Sequence, residues 1–109
     1  MKKQLTPELY ELEKVRFIVK DACGIDLAYA YDDLVFAEHG VFIIQFMNKE
    51  STKLACWFNY EIMETEEIKM FDSLAKTALL NNTTIEYKGR FCMKQKTGKE
   101  EIQIEFVNL

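Results

Sequence analysis

Residues 26–48 read DLAYAYDDLVFAEHGVFIIQFMN, and the period of this stretch decides the fold. Side chains alternate along three short runs, LAYAY, LVFAE and VFIIQFM, which are parted by Asp32-Asp33 and His39-Gly40. Alternation at a period of two gives a strand with two distinct faces. A two-residue break of turn-forming residues gives a hairpin. Counting outward from Asp32-Asp33 sets Tyr31 opposite Leu34 and Tyr29 opposite Phe36. Counting outward from His39-Gly40 sets Glu38 opposite Val41 and Phe36 opposite Ile43. The two counts agree on faces. One face carries Leu27, Tyr29, Tyr31, Leu34, Phe36, Glu38, Val41, Ile43, Gln45 and Met47. The other carries Ala28, Ala30, Val35, Ala37, Phe42, Ile44 and Phe46. Small side chains let a helix approach a sheet closely, so the alanine face is expected beneath the helices.

Upstream the period is helical. Thr6 fits an N-cap, Pro7 the first helical position, and Leu5 with Tyr10 a hydrophobic staple. Leu9, Leu12, Val15, Val19 and Ala22 form the apolar stripe, and Gly24 ends the helix. Downstream, NKEST leads to a fourth strand, KLACWFNY (53–60), whose faces stay unassigned because the loop leaves its register open. A second helix is expected from Thr65 as N-cap. Glu66 and Glu67 fall in its first turn, and Ile68, Phe71, Leu74, Ala75, Ala78 and Leu79 form its buried stripe. Asn81-Asn82 end it. The last segment reads as a hairpin with one dry face, Ile85, Tyr87, Phe91 and Met93 against Ile102, Ile104 and Phe106. A turn at Thr97-Gly98 sets Met93 opposite Ile102 and Phe91 opposite Ile104. It also pairs Lys94 with Glu101 and Arg90 with Glu105.

The expected fold is therefore α+β: one domain, 1–109, in the order α-β-β-β-β-α-β-β. An antiparallel sheet of about six strands carries both helices on one face. That order resembles the type III secretion chaperone-like fold, with one strand more in the meander. The resemblance lies in layout and in acidic character, and it assigns no individual residue. It implies a non-enzymatic homodimer that holds a partner polypeptide against exposed apolar surface.

A net charge of −4 and a pI of about 5.0 work against nucleic acid and anionic lipid as partners. The start of the chain, MKKQLTPELYELEKV, keeps charges throughout and so is not read as a secretory signal. No apolar run has the length of a membrane helix. Three widely spaced cysteines, Cys23, Cys56 and Cys92, are read as reduced thiols of a cytoplasmic protein.

Several groups invite a chemical reading. His39 is explained by the turn, since His tolerates the positive φ that such a hairpin requires. The same strand pairing brings Asp26 and Glu38 to its edge, with Cys23 close by, which opens a second reading as a small ligand cleft or weak enzymatic site. Against nucleophilic catalysis, Cys23 stands at a helix C-terminus, which disfavours its thiolate. No metal is expected. Asp32-Asp33 and Glu38-His39 lie at opposite ends of one strand, roughly 15 Å apart, and no metal-binding spacing or phosphate-binding loop occurs. No cofactor is implied. Glu61, Glu64, Glu66 and Glu67 read as a solvated helix start, with docking of a basic segment as the alternative. Lys88, Arg90, Lys94, Lys96 and Lys99 cluster on the last hairpin. Their strand turns its aromatics away from them and Glu86, Glu101 and Glu105 offset their charge, so nucleic-acid binding is the third-ranked reading. Trp57, Phe58 and Tyr60 read as core. What no expected element covers is the face of Tyr29, Tyr31, Phe36, Val41 and Ile43. An apolar face of that kind marks an interface, so the leading expectation is a protein-interaction module, a homodimer with a protein or peptide partner.

Overall fold

The computed structural model describes residues 9–48, 52–95 and 102–108. Helix α1 spans Leu9–Cys23, and strands β1 (Leu27–Tyr31), β2 (Leu34–Ala37), β3 (Phe42–Phe46) and β4 (Lys53–Asn59) follow it. Helix α2 spans Glu64–Leu80, and β5 (Thr84–Gln95) and β6 (Ile102–Asn108) close the order. The expected cap at Thr6 and Pro7 and the expected turn at Thr97-Gly98 lie outside the described residues.

The meander forms as its alternation requires. Tyr29 pairs with Phe36, Tyr31 with Leu34, and Phe36 with Ile43. Asp32 at φ 55° turns the first hairpin, and His39 (φ 64°) and Gly40 (φ 62°) turn the second. The second turn is longer than two residues. Glu38–Gly40 form a 3-10 turn and Val41 has helical dihedrals, so Glu38 and Val41 do not form a strand pair. Val41 packs with the helix-side core, not beside Phe36. Leu27 changes side for a similar reason: a bulge between Leu27 and Tyr29 pairs it with Ala37 and turns it to the helices.

The six strands of the described residues join one sheet in sequential order, β1 to β6. It is mixed, not antiparallel throughout, because β4 and β5 run parallel. The cause is α2, which returns the chain to the end of the sheet where β4 began, so the next strand must run the same way. Alternation in a sequence carries no direction, which is why this pairing was not anticipated.

Both helices pack on the same face. Val15, Ile18 and Val19 of α1 and Leu74 and Ala78 of α2 meet Val35, Ala37, Phe42, Ile44, Phe46, Leu54, Cys56 and Phe58 in one buried cluster. Gly24, at φ 73°, ends α1 by donating its N–H to the carbonyl of Lys20 at 2.9 Å. Helix α2 starts at Glu64 with Met63 as the cap residue, not Thr65, and its buried side includes Glu67, Leu74, Thr77 and Ala78. Ile68 and Leu79, expected inside, are 61% and 63% exposed, so the stripe is rotated relative to the expectation. Asn81 and Asn82 end α2 with bonds from the N–H groups of Asn81 and Thr83 to the carbonyl of Ala78, each 2.9 Å.

Strand β5 holds the main departure. Its pairing with β4 shifts between Cys56 and Trp57, where Gly89 has φ 147°. Ile85 and Tyr87 face the helices before that bulge. After it Phe91 faces the other way, in a second core with Phe36, Ile43 and Trp57. Tyr87 and Phe91, expected on one dry face, thus serve opposite sides of the sheet. The register with β6 also differs by two residues: Phe91 pairs with Phe106, Met93 with Ile104, Lys94 with Gln103 and Arg90 with Val107. The expected pairing of Arg90 with Glu105 is replaced by a contact to α2.

Candidate functional site

Asp26 and Glu38 do meet, as strand pairing implied, but they spend their oxygens on the fold. Glu38 Oε1 accepts the N–H of Asp26 at 3.0 Å, and Asp26 Oδ1 accepts that of Leu27 at 2.9 Å. Nε of Arg16 donates to Asp26 Oδ1 at 2.8 Å, and that hydrogen bond holds the Asp26 carboxyl below its usual range. His39 is exposed on the turn beyond them. Burial pushes the Cys23 thiol up to about 11, the wrong direction for a nucleophile. Among the described residues no group of three His, Cys, Asp or Glu side chains could hold a metal ion.

The five residues expected at an interface divide by exposure. Phe36 and Ile43 are buried in the second core, where they pack with Trp57 and Phe91. Tyr29 stacks on Phe36, with ring centroids 4.5 Å apart and planes 11° apart, yet it stays 58% exposed, and Tyr31 is 67% exposed. Both belong to β1, which like β6 forms an edge of the sheet among the described residues. No residue of β1 carries charge, and from Ala28 to Tyr31 every one is exposed. Trp57 is held by a polar chain on the same side. Its Nε1 donates to Gln45 Oε1 at 3.3 Å, and Gln45 Nε2 donates to Asp33 Oδ2 at 3.0 Å. Its ring meets Phe106 edge-on at 4.5 Å.

A second site was not anticipated. Between α2 and β5 lies a cleft of about 510 Å³ whose wall contains Glu67, Tyr87 and Arg90. Glu67 is 5% exposed. Tyr87 donates its hydroxyl to Glu67 Oε2, and Nη2 of Arg90 lies 3.0 Å from Glu67 Oε1. Burial, and then the Glu67 carboxylate, raise the Tyr87 phenol above its ordinary value. In sequence Glu67 is one of four glutamates at a helix start. Glu61, Glu64 and Glu66 are exposed as expected, and the rotation of α2 turns only Glu67 inward. The bulge at Gly89 then puts Tyr87 and Arg90 on the same side. An isolated glycine inside a strand pattern was the available signal for it.

Of the basic residues on the last hairpin, Lys88 pairs with Glu86 at 3.3 Å and Arg90 with Glu67, while Lys96 and Lys99 lie outside the described residues. Trp57 and Phe58 are core, one on each side of the sheet, and Tyr60 is 53% exposed. No described helix is long and apolar enough to cross a membrane. Comparison with protein-family models, curated proteins and solved structures finds no match for the chain.

Proposed function

We propose that the chain is a non-enzymatic polypeptide-binding module that takes up an extended segment of a partner beside β1. The observation that carries this reading is the outer strand itself: five residues, none charged, with Ala28, Tyr29, Ala30 and Tyr31 exposed. Proteins that avoid edge pairing cover or charge such strands, whereas modules that add a strand leave them open. The other outer strand, β6, carries exposed Glu105 and Gln103. Tyr29, fixed against Phe36, and Tyr31 offer aromatic surface to alternate side chains of an added strand.

Charge narrows the partner. At one end of β1 stand Asp32 and Asp33, and at the other Glu13, Asp26 and Glu38 outnumber Arg16 and Lys20. An uncharged segment with a basic residue at each end complements that pattern. A second copy brings the same carboxylates and the same net charge of −4, so pairing of two copies is disfavoured relative to a basic-flanked strand.

The test uses two synthetic peptides that alternate valine and threonine, one with lysine at each end and one with glutamate. Binding of the lysine-flanked peptide alone, abolished by Tyr31→Lys, is the expected result. Self-association of the chain through β1 with no peptide binding, or equal binding of both peptides, contradicts the proposal.

A further inference from the structure

We infer that the cleft between α2 and β5 binds a small organic amine, a primary ammonium group on a short apolar stem. The site is independent of the β1 edge and lies on the helix side of the sheet. Its volume, about 510 Å³, falls among sites for small molecules, roughly 300–1,000 Å³. Ile68, Phe71 and Ala75 supply an apolar wall from α2. Ile68 was expected in the core and is instead 61% exposed here, so the wall is open to solvent.

The electrostatics select the sign of the ligand. The cleft is lined by three carboxylates, Glu64, Glu67 and Asp72, and by one guanidinium, that of Arg90. Arg90 faces the buried Glu67, so its charge is already countered. Both Oε1 of Glu67 and Nε of Arg90 are buried without a hydrogen bond, which keeps this pair as a fixed, imperfectly satisfied back wall. At the mouth, Glu64 and Asp72 are exposed. Lys76 stands 3.0 Å from Asp72 but does not line the cleft. An anionic ligand would meet two exposed carboxylates and no uncommitted cation of the lining. A cation meets the carboxylate of Glu64, that of Asp72, which it shares with Lys76, and the rings of Phe71 and Tyr87, packed edge to face at 5.6 Å, whose π faces attract positive charge.

The experiment titrates the full chain with hexylammonium, with 1-hexanol and hexanoate as controls of equal length, and follows backbone amide shifts. Saturable shifts are expected at Ile68, Phe71, Ala75 and Tyr87 with hexylammonium, weaker ones with hexanol, and none with hexanoate. Glu64→Gln and Asp72→Asn, both at exposed positions, are each expected to weaken hexylammonium about threefold and leave hexanol unchanged. The inference is overturned if hexanol or hexanoate binds as tightly as the amine, if the shifts fall outside α2 and β5, or if both variants bind as the parent does. It is equally overturned if a lysine-bearing peptide occupies the cleft at lower concentration than hexylammonium, which would make it a protein-docking groove.

Discussion

Nη2 of Arg90, on β5, stands 3.0 Å from Oε1 of Glu67, on α2, and Glu67 is the buried partner of the two. This contact ties the crossover helix to the strand that follows it. Removing one charge of such a pair leaves the other uncompensated, whereas removing both can be nearly neutral. Arg90→Met is therefore expected to lower the urea midpoint, and Glu67→Gln introduced into that variant to recover most of the loss. Equal, additive losses in the double variant would show that the pair contributes nothing as a unit.

Tyr87 sets an alkaline limit on stability. Its folded-state pKa is raised above the ordinary value of 10.0, by burial first and by the Glu67 carboxylate next. The unfolded chain then releases that proton before the folded one. The contribution is fully present below about pH 10 and is lost as pH rises through the folded pKa. Tyr87→Phe should cost about 1.5–3 kcal/mol at neutral pH, the worth of a hydrogen bond to a charged acceptor. It should also flatten the fall in stability above about pH 10. Identical alkaline slopes in parent and variant would exclude this role.

The thiols differ in access and in pKa. Cys56 is fully buried and its pKa lies well above 9.0, from burial first and from neighbouring Cys23 and Glu67 next. Burial pushes Cys23 up to about 11. Only the thiolate reacts with a disulfide reagent, so Cys23 should label about tenfold faster per pH unit up to about pH 11. Cys56 should label no faster than the chain unfolds. Rapid labelling of Cys56 in the native protein would mean that the helix-side core is open.

Gly89 should be intolerant of a side chain. It is buried at φ 147°, a conformation that L residues rarely adopt, and its neighbour in register is Trp57. Gly89→Ala is expected to cost about 1–3 kcal/mol and to shift the emission of Trp57. Parent-like stability would show that the bulge is not needed to hold Tyr87 and Arg90 on the helix side.

The meander was readable because its turns lie within its own sequence: Asp32 and His39-Gly40 take positive φ, and the pairs of Tyr29, Tyr31 and Phe36 follow from them. The helices cover the face that was expected, although of its three alanines only Ala37 lies beneath them and Ala28 and Ala30 are exposed. What could not be read depends on groups far apart in the chain. The direction of β5 follows from where α2 delivers it, and the faces of β5 follow from one bulge that a period-two count passes over. Glu67 looks like its three solvated neighbours until the rotation of α2 is known. The cleft is built from those three unreadable features together, so no local pattern announced it. The β1 edge, by contrast, needed only the strand order to be recognised as open.

The most direct measurement is amide hydrogen exchange across the sheet with and without the lysine-flanked peptide. In β1, the alternate amides that point away from β2 have no strand partner among the described residues, so in the free chain they are expected to exchange fast. The account predicts that the peptide slows these amides selectively and leaves β6 unchanged. Protection that appears in β6, or unchanged exchange in β1 at saturating peptide, would contradict strand addition at Leu27–Tyr31.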